Sequence, residues 1–76
     1  MTAKEILNKL KWTKDIKKAE IWYLHRGAKN DTKIISGSEI LALGKSFFET
    51  GEASIPYHRI RKIFYDNELV WERKSL

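Results

Sequence analysis

The stretch Ala19-Glu20-Ile21-Trp22-Tyr23-Leu24-His25-Arg26 decides the fold of this 76-residue chain. Isoleucine, tryptophan, tyrosine and leucine are concentrated in it, and apolar side chains fall on both of the faces that alternate along an extended strand. Apolar groups on both faces are typical of a strand that is covered on each side, or partly covered by a helix. We therefore predict a central strand over residues 19–26, lying inside a sheet.

A first hairpin is predicted directly after this strand. Residues 27–31 have the turn-forming sequence Gly-Ala-Lys-Asn-Asp, and the segment 32–35 that follows is rich in β-branched residues. Two strand-forming segments separated by such a turn indicate antiparallel pairing. The central strand should therefore pair with residues 32–35.

A second hairpin is predicted at the C-terminal end. The strand-like segments 61–65 and 69–73 flank Asp66-Asn67-Glu68, and asparagine adopts a positive φ more cheaply than most residues. Period-two alternation places Leu69 and Trp71 on one face, where cross-strand packing would fix the register. This pattern predicts a C-terminal β-hairpin.

The N-terminal residues have the pattern of an amphipathic helix. Thr2-Ala3-Lys4-Glu5 has the spacing of a capping box, in which the Thr2 hydroxyl accepts from a free helical N–H and Glu5 reaches back. Ala3, Ile6, Leu7 and Leu10 then recur at the spacing of a single apolar stripe. A helix that packs one face on a core should begin here.

The middle of the chain is less clearly patterned. Residues 36–39 could cap a short helix, while the apolar run 40–43 fits either a buried strand or a helical turn. We favour a helical turn there, followed by a strand over residues 45–50. Pro56 should then interrupt a strand, because it has no N–H to donate. Together these elements predict an α+β fold, with the N-terminal helix packed on one antiparallel sheet of four or five strands and a C-terminal β-hairpin.

The composition limits the classes of protein to consider. Fifteen Lys and Arg against ten Asp and Glu give a net charge of +5, which favours a polyanionic partner, although lysine-rich faces are often only solubilising. The chain has no cysteine, so disulfides and thiolate zinc sites are excluded. No apolar run approaches the ~18 residues of a membrane span, and no signal-peptide pattern is present. We expect a cytoplasmic protein without membrane association.

Both histidines are followed directly by arginine, as His25-Arg26 and as His58-Arg59. An imidazole titrates near neutral pH and a guanidinium binds oxyanions bidentately, so two such pairs brought together would form a phosphate-sized site. In a basic chain with two histidines the repeat could also be a coincidence. We interpret the two His-Arg pairs as a candidate phosphate site.

The residues around the two His-Arg pairs bear on whether they can converge. Neighbouring side chains point to opposite faces of a strand unless the strand ends or bends. Gly27 supplies such an end and Pro56 such a bend. Arg61 and Lys62 could extend the basic surface, adding phosphate contacts that are salt-dependent rather than sequence-specific.

The same residues are compatible with chemistries other than phosphate binding. His25 and His58 could cleave RNA by general acid and base action without metal, but Gly27 and Ile60 stand where paired-histidine phosphoesterases have Ser or Thr. A basic face docking an acidic protein partner is a further alternative. Two histidines without cysteine make a poor zinc site, so we predict no metal and no cofactor. Base stacking is open to six aromatic residues, most of which we expect in the core: Trp22, Tyr23, Phe47, Phe48, Phe64 and Trp71.

The sequence resembles a family of small archaeal proteins whose domain is called the RNA cyclic group end recognition domain. The resemblance spans essentially the whole chain, and the strings that carry it include Trp22-Tyr23-Leu24-His25-Arg26-Gly27, Ile35-Ser36-Gly37-Ser38-Glu39-Ile40, Ile55-Pro56-Tyr57-His58-Arg59-Ile60 and Val70-Trp71-Glu72-Arg73. Relatives often have glycine in the turn at residues 66–68, where Asn67 can replace it conformationally. The family occurs fused to RNA ligases and cyclic phosphodiesterases. The resemblance therefore implies recognition of RNA ends bearing cyclic phosphate.

Carried over residue by residue, the resemblance assigns His25, Arg26, His58 and Arg59 to the phosphate, with Gly27 and Pro56 shaping the backbone around it. We expect residues 1–76 to form one RNA-end-recognition domain that is not catalytic, with an RNA end as its ligand and an RNA-processing enzyme as a possible partner. The identity of the RNA and the oligomeric state are left open by the sequence.

Overall fold

The computed structural model describes residues 2–73. Within this range one α-helix is followed by seven strands, in the order α1 (Ala3–Thr13), β1 (Ala19–Leu24), β2 (Thr32–Ser36), β3 (Ile40–Leu43), β4 (Phe47–Thr50), β5 (Ser54–Pro56), β6 (Ile60–Tyr65) and β7 (Glu68–Glu72). Short 3₁₀ turns precede four of the strands, at Ile16–Lys18, Lys29–Asp31, Gly37–Glu39 and Tyr57–Arg59. The fold is α+β, as the sequence predicts.

The helix α1 begins with the predicted capping box. The Thr2 N–H donates to Glu5 Oε1 at 2.9 Å, and the Glu5 N–H donates to Thr2 Oγ1 at 3.2 Å. Hydrogen bonding of the Glu5 carboxylate to Thr2, chiefly to its backbone N–H, lowers the pKa of Glu5. Beyond the cap, Ala3, Leu7 and Leu10 are buried, so the apolar stripe of the helix lies on the core.

The strands form two antiparallel sheets rather than the single predicted sheet. The first has the order β2-β1-β6-β7, and the second has the order β3-β4-β5. β1 is central, because Ile21 lies opposite Ile35 of β2 on one side and opposite Ile63 of β6 on the other. The prediction of an internal strand paired with the next segment is confirmed, although β1 ends at Leu24, before the two predicted residues His25 and Arg26.

The sheets separate at the 3₁₀ turn Gly37–Glu39. Ser36 and Glu39 form a second capping box here, and Gly37 packs so closely on the Ile16 backbone that a Cβ would overlap its carbonyl oxygen. The turn carries the chain away from the first sheet before Ile40–Leu43 begins. The helical turn predicted at residues 40–43 is therefore wrong: the helical residues are 37–39, and 40–43 form the strand β3.

One hydrophobic core joins α1 and both sheets. Its largest fully buried side chains are Leu7 from α1, Phe48 from β4 and three isoleucines from the first sheet, Ile21, Ile60 and Ile63. The helix and the second sheet therefore cover the same face of the first sheet. No described element covers its other face, where Ile34 and Leu69 are about half exposed.

The two last strands are antiparallel and joined by the turn Asp66-Asn67, in which both residues have positive φ (51° and 69°). The predicted pairing is present, but the strand bounds and the register differ in detail. A register shift between Ile63 and Phe64 sets Leu69 opposite Phe64 and Trp71 opposite Ile63. Leu69 and Trp71 thus lie on opposite faces, and the prediction that they share a face is wrong because a β-bulge interrupts the alternation.

The helix within residues 2–73 is neither long enough nor apolar enough to cross a membrane.

Candidate functional site

The register of β1 and β6 determines where the two His-Arg pairs lie. At the last paired position Tyr23 of β1 is opposite Ile60 of β6. His25 and Arg26 leave β1 just after this position, and His58 and Arg59 enter β6 just before it. Because the strands are adjacent and antiparallel, both His-Arg pairs extend from the same end of the first sheet.

All four side chains of the two His-Arg pairs are exposed: His25, Arg26, His58 and Arg59. Within residues 2–73 none of them forms a side-chain hydrogen bond or an ion pair. The His25 ring makes an edge contact with the Tyr23 ring, with centroids 6.2 Å apart. Their polar atoms are therefore available to an external ligand.

The backbone after β1 turns back sharply at the first His-Arg pair. The His25 N–H donates to the Asp31 carbonyl at 2.8 Å, and the Ala28 N–H donates to the His25 carbonyl at 3.2 Å. Gly27 has a φ of +92°, a conformation that residues with a Cβ rarely adopt. The strand end that the sequence predicts at Gly27 is present and gives Arg26 a position in a tight turn.

The second His-Arg pair lies in the 3₁₀ turn Tyr57–Arg59, which follows Pro56 at the end of β5. The Ile60 N–H closes this turn by donating to the Tyr57 carbonyl. The Tyr57 hydroxyl donates to the Gly44 carbonyl at 2.8 Å, and burial raises the pKa of this phenol. A buried, neutral tyrosine thus anchors the turn that presents His58 and Arg59.

Aromatic packing connects the supports of the two His-Arg pairs. The Phe48 ring contacts the Tyr23 ring at 6.3 Å and the Tyr57 ring at 5.8 Å between centroids. Tyr23 lies beside His25, and Tyr57 directly precedes His58. Both pairs therefore project from a single packed layer, which fixes their backbones relative to one another.

Arg73 is a site residue that the sequence analysis missed. Its Nε donates to the Ile60 carbonyl at 3.0 Å and its Nη2 donates to the Tyr57 carbonyl at 3.2 Å. The guanidinium therefore fastens the end of β7 to the turn that carries His58 and Arg59. A cation at the end of a predicted strand is too common in this basic chain to have indicated this role.

A cleft of about 530 Å³ adjoins the second His-Arg pair. We call it the terminal cleft, and its lining comprises Thr2, Ala3, Lys4, Tyr57, His58, Trp71, Glu72 and Arg73. Lys4 Nζ lies 6.0 Å from the centroid of the Tyr57 ring, so this cation borders the cleft as well. Of the two His-Arg pairs only His58 lines the terminal cleft; His25, Arg26 and Arg59 do not.

Two further phosphate contacts were predicted at Arg61 and Lys62. Both lie on β6, just after the 3₁₀ turn that carries the second His-Arg pair. Arg61 is exposed at the register shift between β1 and β6. Lys62 is partly buried, and its ammonium lies 3.8 Å from Glu72 Oε2 and 5.5 Å from the Trp22 ring centroid. Lys62 thus belongs to the uncovered face of the sheet rather than to its end.

Comparison with known proteins gives consistent relatives. The chain is 41% identical over 77 residues to a UPF0248 protein of Thermococcus onnurineus, covering 97% of this chain and 87% of the relative. It is 40% identical over 78 residues to the UPF0248 protein TK0315 of Thermococcus kodakarensis, covering 99% and 95%. A UPF0248 protein of Methanococcus maripaludis strain C7 is 44% identical over 62 residues, covering 79% and 80%. No solved structure matches the chain significantly.

The match to a family model is equally broad. Residues 1–73 match the model described as the MJ1316 RNA cyclic group end recognition domain, a range that includes both His-Arg pairs and Arg73. The relatives and the model agree over nearly the full length of the chain. The chain therefore belongs to the family of the MJ1316 RNA cyclic group end recognition domain.

Proposed function

We propose that this protein binds phosphorylated RNA ends, with 2′,3′-cyclic phosphate as the preferred terminus, through the two His-Arg pairs and without catalysing a reaction. The observation that carries the proposal is the register of β1 and β6, since Tyr23 opposite Ile60 brings both pairs to one end of the sheet. The exposure of all four side chains supports it. The family description supports an RNA end as the ligand.

In the proposed mechanism Arg26 and Arg59 bind the phosphate oxygens through charge-assisted hydrogen bonds, which are shorter and stronger than neutral ones. His25 and His58 donate further hydrogen bonds to the phosphate through their ring N–H groups. Gly27 and Pro56 shape the two turns, and Arg61 adds a nearby cation. Arg73 is a positioning residue, because it holds the turn of His58 and Arg59 through the two carbonyl oxygens it contacts.

Charge alone would favour the wrong terminus. A terminal 3′-phosphate is a monoester that carries about −1.5 to −2 charges near pH 7, whereas a cyclic phosphate is a diester with a single negative charge. A site that attracts anions only by its field would bind the 3′-phosphate more tightly. Preference for the cyclic terminus would therefore require contacts that fit the shape of the ring.

The test is a titration with short oligoribonucleotides of one sequence that end in 2′,3′-cyclic phosphate, 3′-phosphate or 3′-hydroxyl. We expect the cyclic end to bind most tightly, and Arg26→Ala or Arg59→Ala to remove that preference. Lys9→Ala is the matched control, because it removes an exposed charge from the helix α1. Equal affinity for all three ends would leave only non-specific electrostatic binding and would refute the proposal.

The same samples test the enzymatic alternative. Conversion of the cyclic terminus by the wild-type protein, abolished by His25→Ala or His58→Ala, would show that the site is catalytic. We also propose that the domain acts in the cytoplasm beside an RNA-processing enzyme that makes or uses such ends. Co-purification that survives nuclease treatment would identify that enzyme.

A further inference from the structure

The uncovered face of the first sheet carries an apolar row that the core does not use. Residues directly opposite each other on antiparallel strands share a face. Ile34 is opposite Trp22, and Phe64 is opposite both Glu20 and Leu69. We call this surface the open face, with the apolar row Ile34, Trp22, Phe64 and Leu69.

Trp22 and Phe64 form a packed aromatic pair at the centre of the open face. Their ring centroids are 5.4 Å apart and the rings are tilted by 42°. The Trp22 Nε1 donates to Glu20 Oε1 at 2.7 Å, which fixes the orientation of the indole. Aromatic side chains held on a four-stranded sheet are the usual platform on which proteins stack the bases of single-stranded RNA.

The charges bordering this aromatic pair suit a polyanion. A cleft of about 530 Å³ is lined by both aromatic residues, by Lys17 and Lys18, and by Glu20, whose carboxylate is already hydrogen-bonded to the indole. The Lys62 ammonium lies 5.5 Å from the Trp22 ring centroid. Its contact with Glu72 is a single 3.8 Å ion pair between half-exposed side chains, which contributes little and leaves the ammonium able to turn to a phosphate.

The open face is also continuous with the proposed end-binding site. Trp22 lies on β1, and His25 follows the end of that strand three residues later, which corresponds to at most about 10 Å at ~3.3 Å per residue. A strand of RNA whose terminus lies at the two His-Arg pairs can therefore reach the aromatic pair with the nucleotides next to that terminus.

We propose that Trp22 and Phe64 form a base-stacking platform that binds the single-stranded RNA nucleotides adjoining the captured end, with Lys17, Lys18 and Lys62 contacting their phosphates. The inference rests on the proposed function in that its ligand is RNA, but it adds a second site with different chemistry. Stacking tolerates any base, so this platform gives affinity for single strands without sequence preference.

The experiment compares two oligoribonucleotides that share one terminus, one with normal bases and one with abasic sites at the preceding nucleotides. Wild-type protein should bind the base-containing oligomer about 5- to 150-fold more tightly for each stacked base. Trp22→Leu should abolish that difference and leave the affinity for the abasic oligomer unchanged. Trp22→Phe should retain most of the difference, and Trp12→Leu, which removes a 79% exposed tryptophan from α1, should retain all of it.

Phe64→Leu provides a second variant should Trp22→Leu fail to fold as judged by circular dichroism. Wild-type affinity for the base-containing oligomer in the folded leucine variants would overturn the platform, as would an equal loss for both oligomers. The platform would also be overturned if sedimentation showed that the wild-type protein self-associates and that the leucine variants do not, while their affinity for RNA was unchanged. That result would assign the open face to a protein contact. If a 3′-hydroxyl oligomer binds as well as the cyclic one and Trp22→Leu still weakens both, end recognition fails while the platform stands.

Discussion

Replacing Arg73 should loosen the turn that presents His58 and Arg59. Arg73→Ala removes two charge-assisted hydrogen bonds, to the Ile60 carbonyl at 3.0 Å and to the Tyr57 carbonyl at 3.2 Å. Hydrogen bonds to charged groups contribute about 1.5–3 kcal/mol each. Arg73 is exposed, so solvent screening favours the low end of that range, and we expect a total loss of about 2–3 kcal/mol.

That loss is large for so small a domain. A stability of about 0.05–0.15 kcal/mol per residue gives this chain roughly 4–11 kcal/mol in all. With about 4–8 °C per kcal/mol for domains of this size, the midpoint of thermal unfolding should fall by about 10–20 °C. Arg73→Lys should recover little of it, because one ammonium cannot reproduce the planar fork that reaches both carbonyl groups.

Urea unfolding followed by tryptophan fluorescence measures the loss in the free energy of global unfolding. Hydrogen exchange of the Ile60 amide measures the local loosening of the turn. This amide closes the turn by donating to the Tyr57 carbonyl, so its exchange should accelerate more in Arg73→Ala than that of core amides. Lys9→Ala is the control for removing an exposed cation. A loss below about 1 kcal/mol, or an Arg73→Lys variant indistinguishable from wild type, would refute the positioning role.

Three further predictions test the fold and the proposed site. Gly37→Ala should lower the free energy of unfolding by about 1–3 kcal/mol in urea, because the new Cβ would overlap the Ile16 carbonyl. Gly51→Ala is the control: no atom lies near its new Cβ, so it should be neutral or slightly stabilising. Arg26→Ala should weaken the binding of an oligomer with a cyclic-phosphate end by about 10- to 150-fold. It should also reduce the slope of log affinity against log salt concentration by about one. An unchanged slope would exclude a contact between Arg26 and a phosphate. Because the pKa of Glu5 is lowered from its ordinary value of 4.5, the ionised carboxylate stabilises the fold above that value, and the benefit is lost as pH falls through the lowered pKa. Wild type should therefore exceed Glu5→Gln in thermal midpoint at neutral pH and converge with it in acid. A constant gap would contradict the capping argument.

The elements with strong local signals were predictable from the sequence. The capping box predicted the start of α1, because at that spacing the Thr2 and Glu5 side chains each accept from the other residue's backbone N–H. The apolar residues on both faces of residues 19–24 indicated the central position of β1. The capping box depends on residues that are close in sequence, and the position of β1 follows from the periodicity of its apolar residues.

The division into two sheets could not be predicted in the same way. It depends on the packing of Gly37 against Ile16, a contact between residues that no periodic pattern relates. Residues 40–43 are apolar in either conformation, so their assignment to β3 follows from the turn that precedes them. The β-bulge at Val70 of β7 is likewise a tertiary feature, and it reversed the face expected for Leu69 relative to Trp71.

The candidate site likewise has a part that the sequence predicts and a part that depends on tertiary structure. The residue types at the two His-Arg pairs indicated anion chemistry, but their meeting at one end of the sheet follows from a strand register that pairs Tyr23 with Ile60. Arg73 carried no signal, because its two acceptors are backbone carbonyl groups and any residue type supplies those. A residue that supports a site by donating to backbone carbonyl groups can therefore be identified only once the fold is known.

The same register explains why Trp22 lies outside the core, where the sequence analysis expected most of the aromatic residues. Composition suggests that so short a chain cannot spare its aromatic residues, and Tyr23 and Phe48 are indeed buried. The core, however, is filled by isoleucines from β1 and β6 together with these two rings, and the alternation along β1 then directs Trp22 to the opposite face. An aromatic pair on a face that no described element covers contributes less to folding than it would in the core. Both rings are only partly buried, and the platform proposed above gives this pair a ligand that stacks on it: RNA adjoining a bound end, whose phosphates would contact the surrounding lysines.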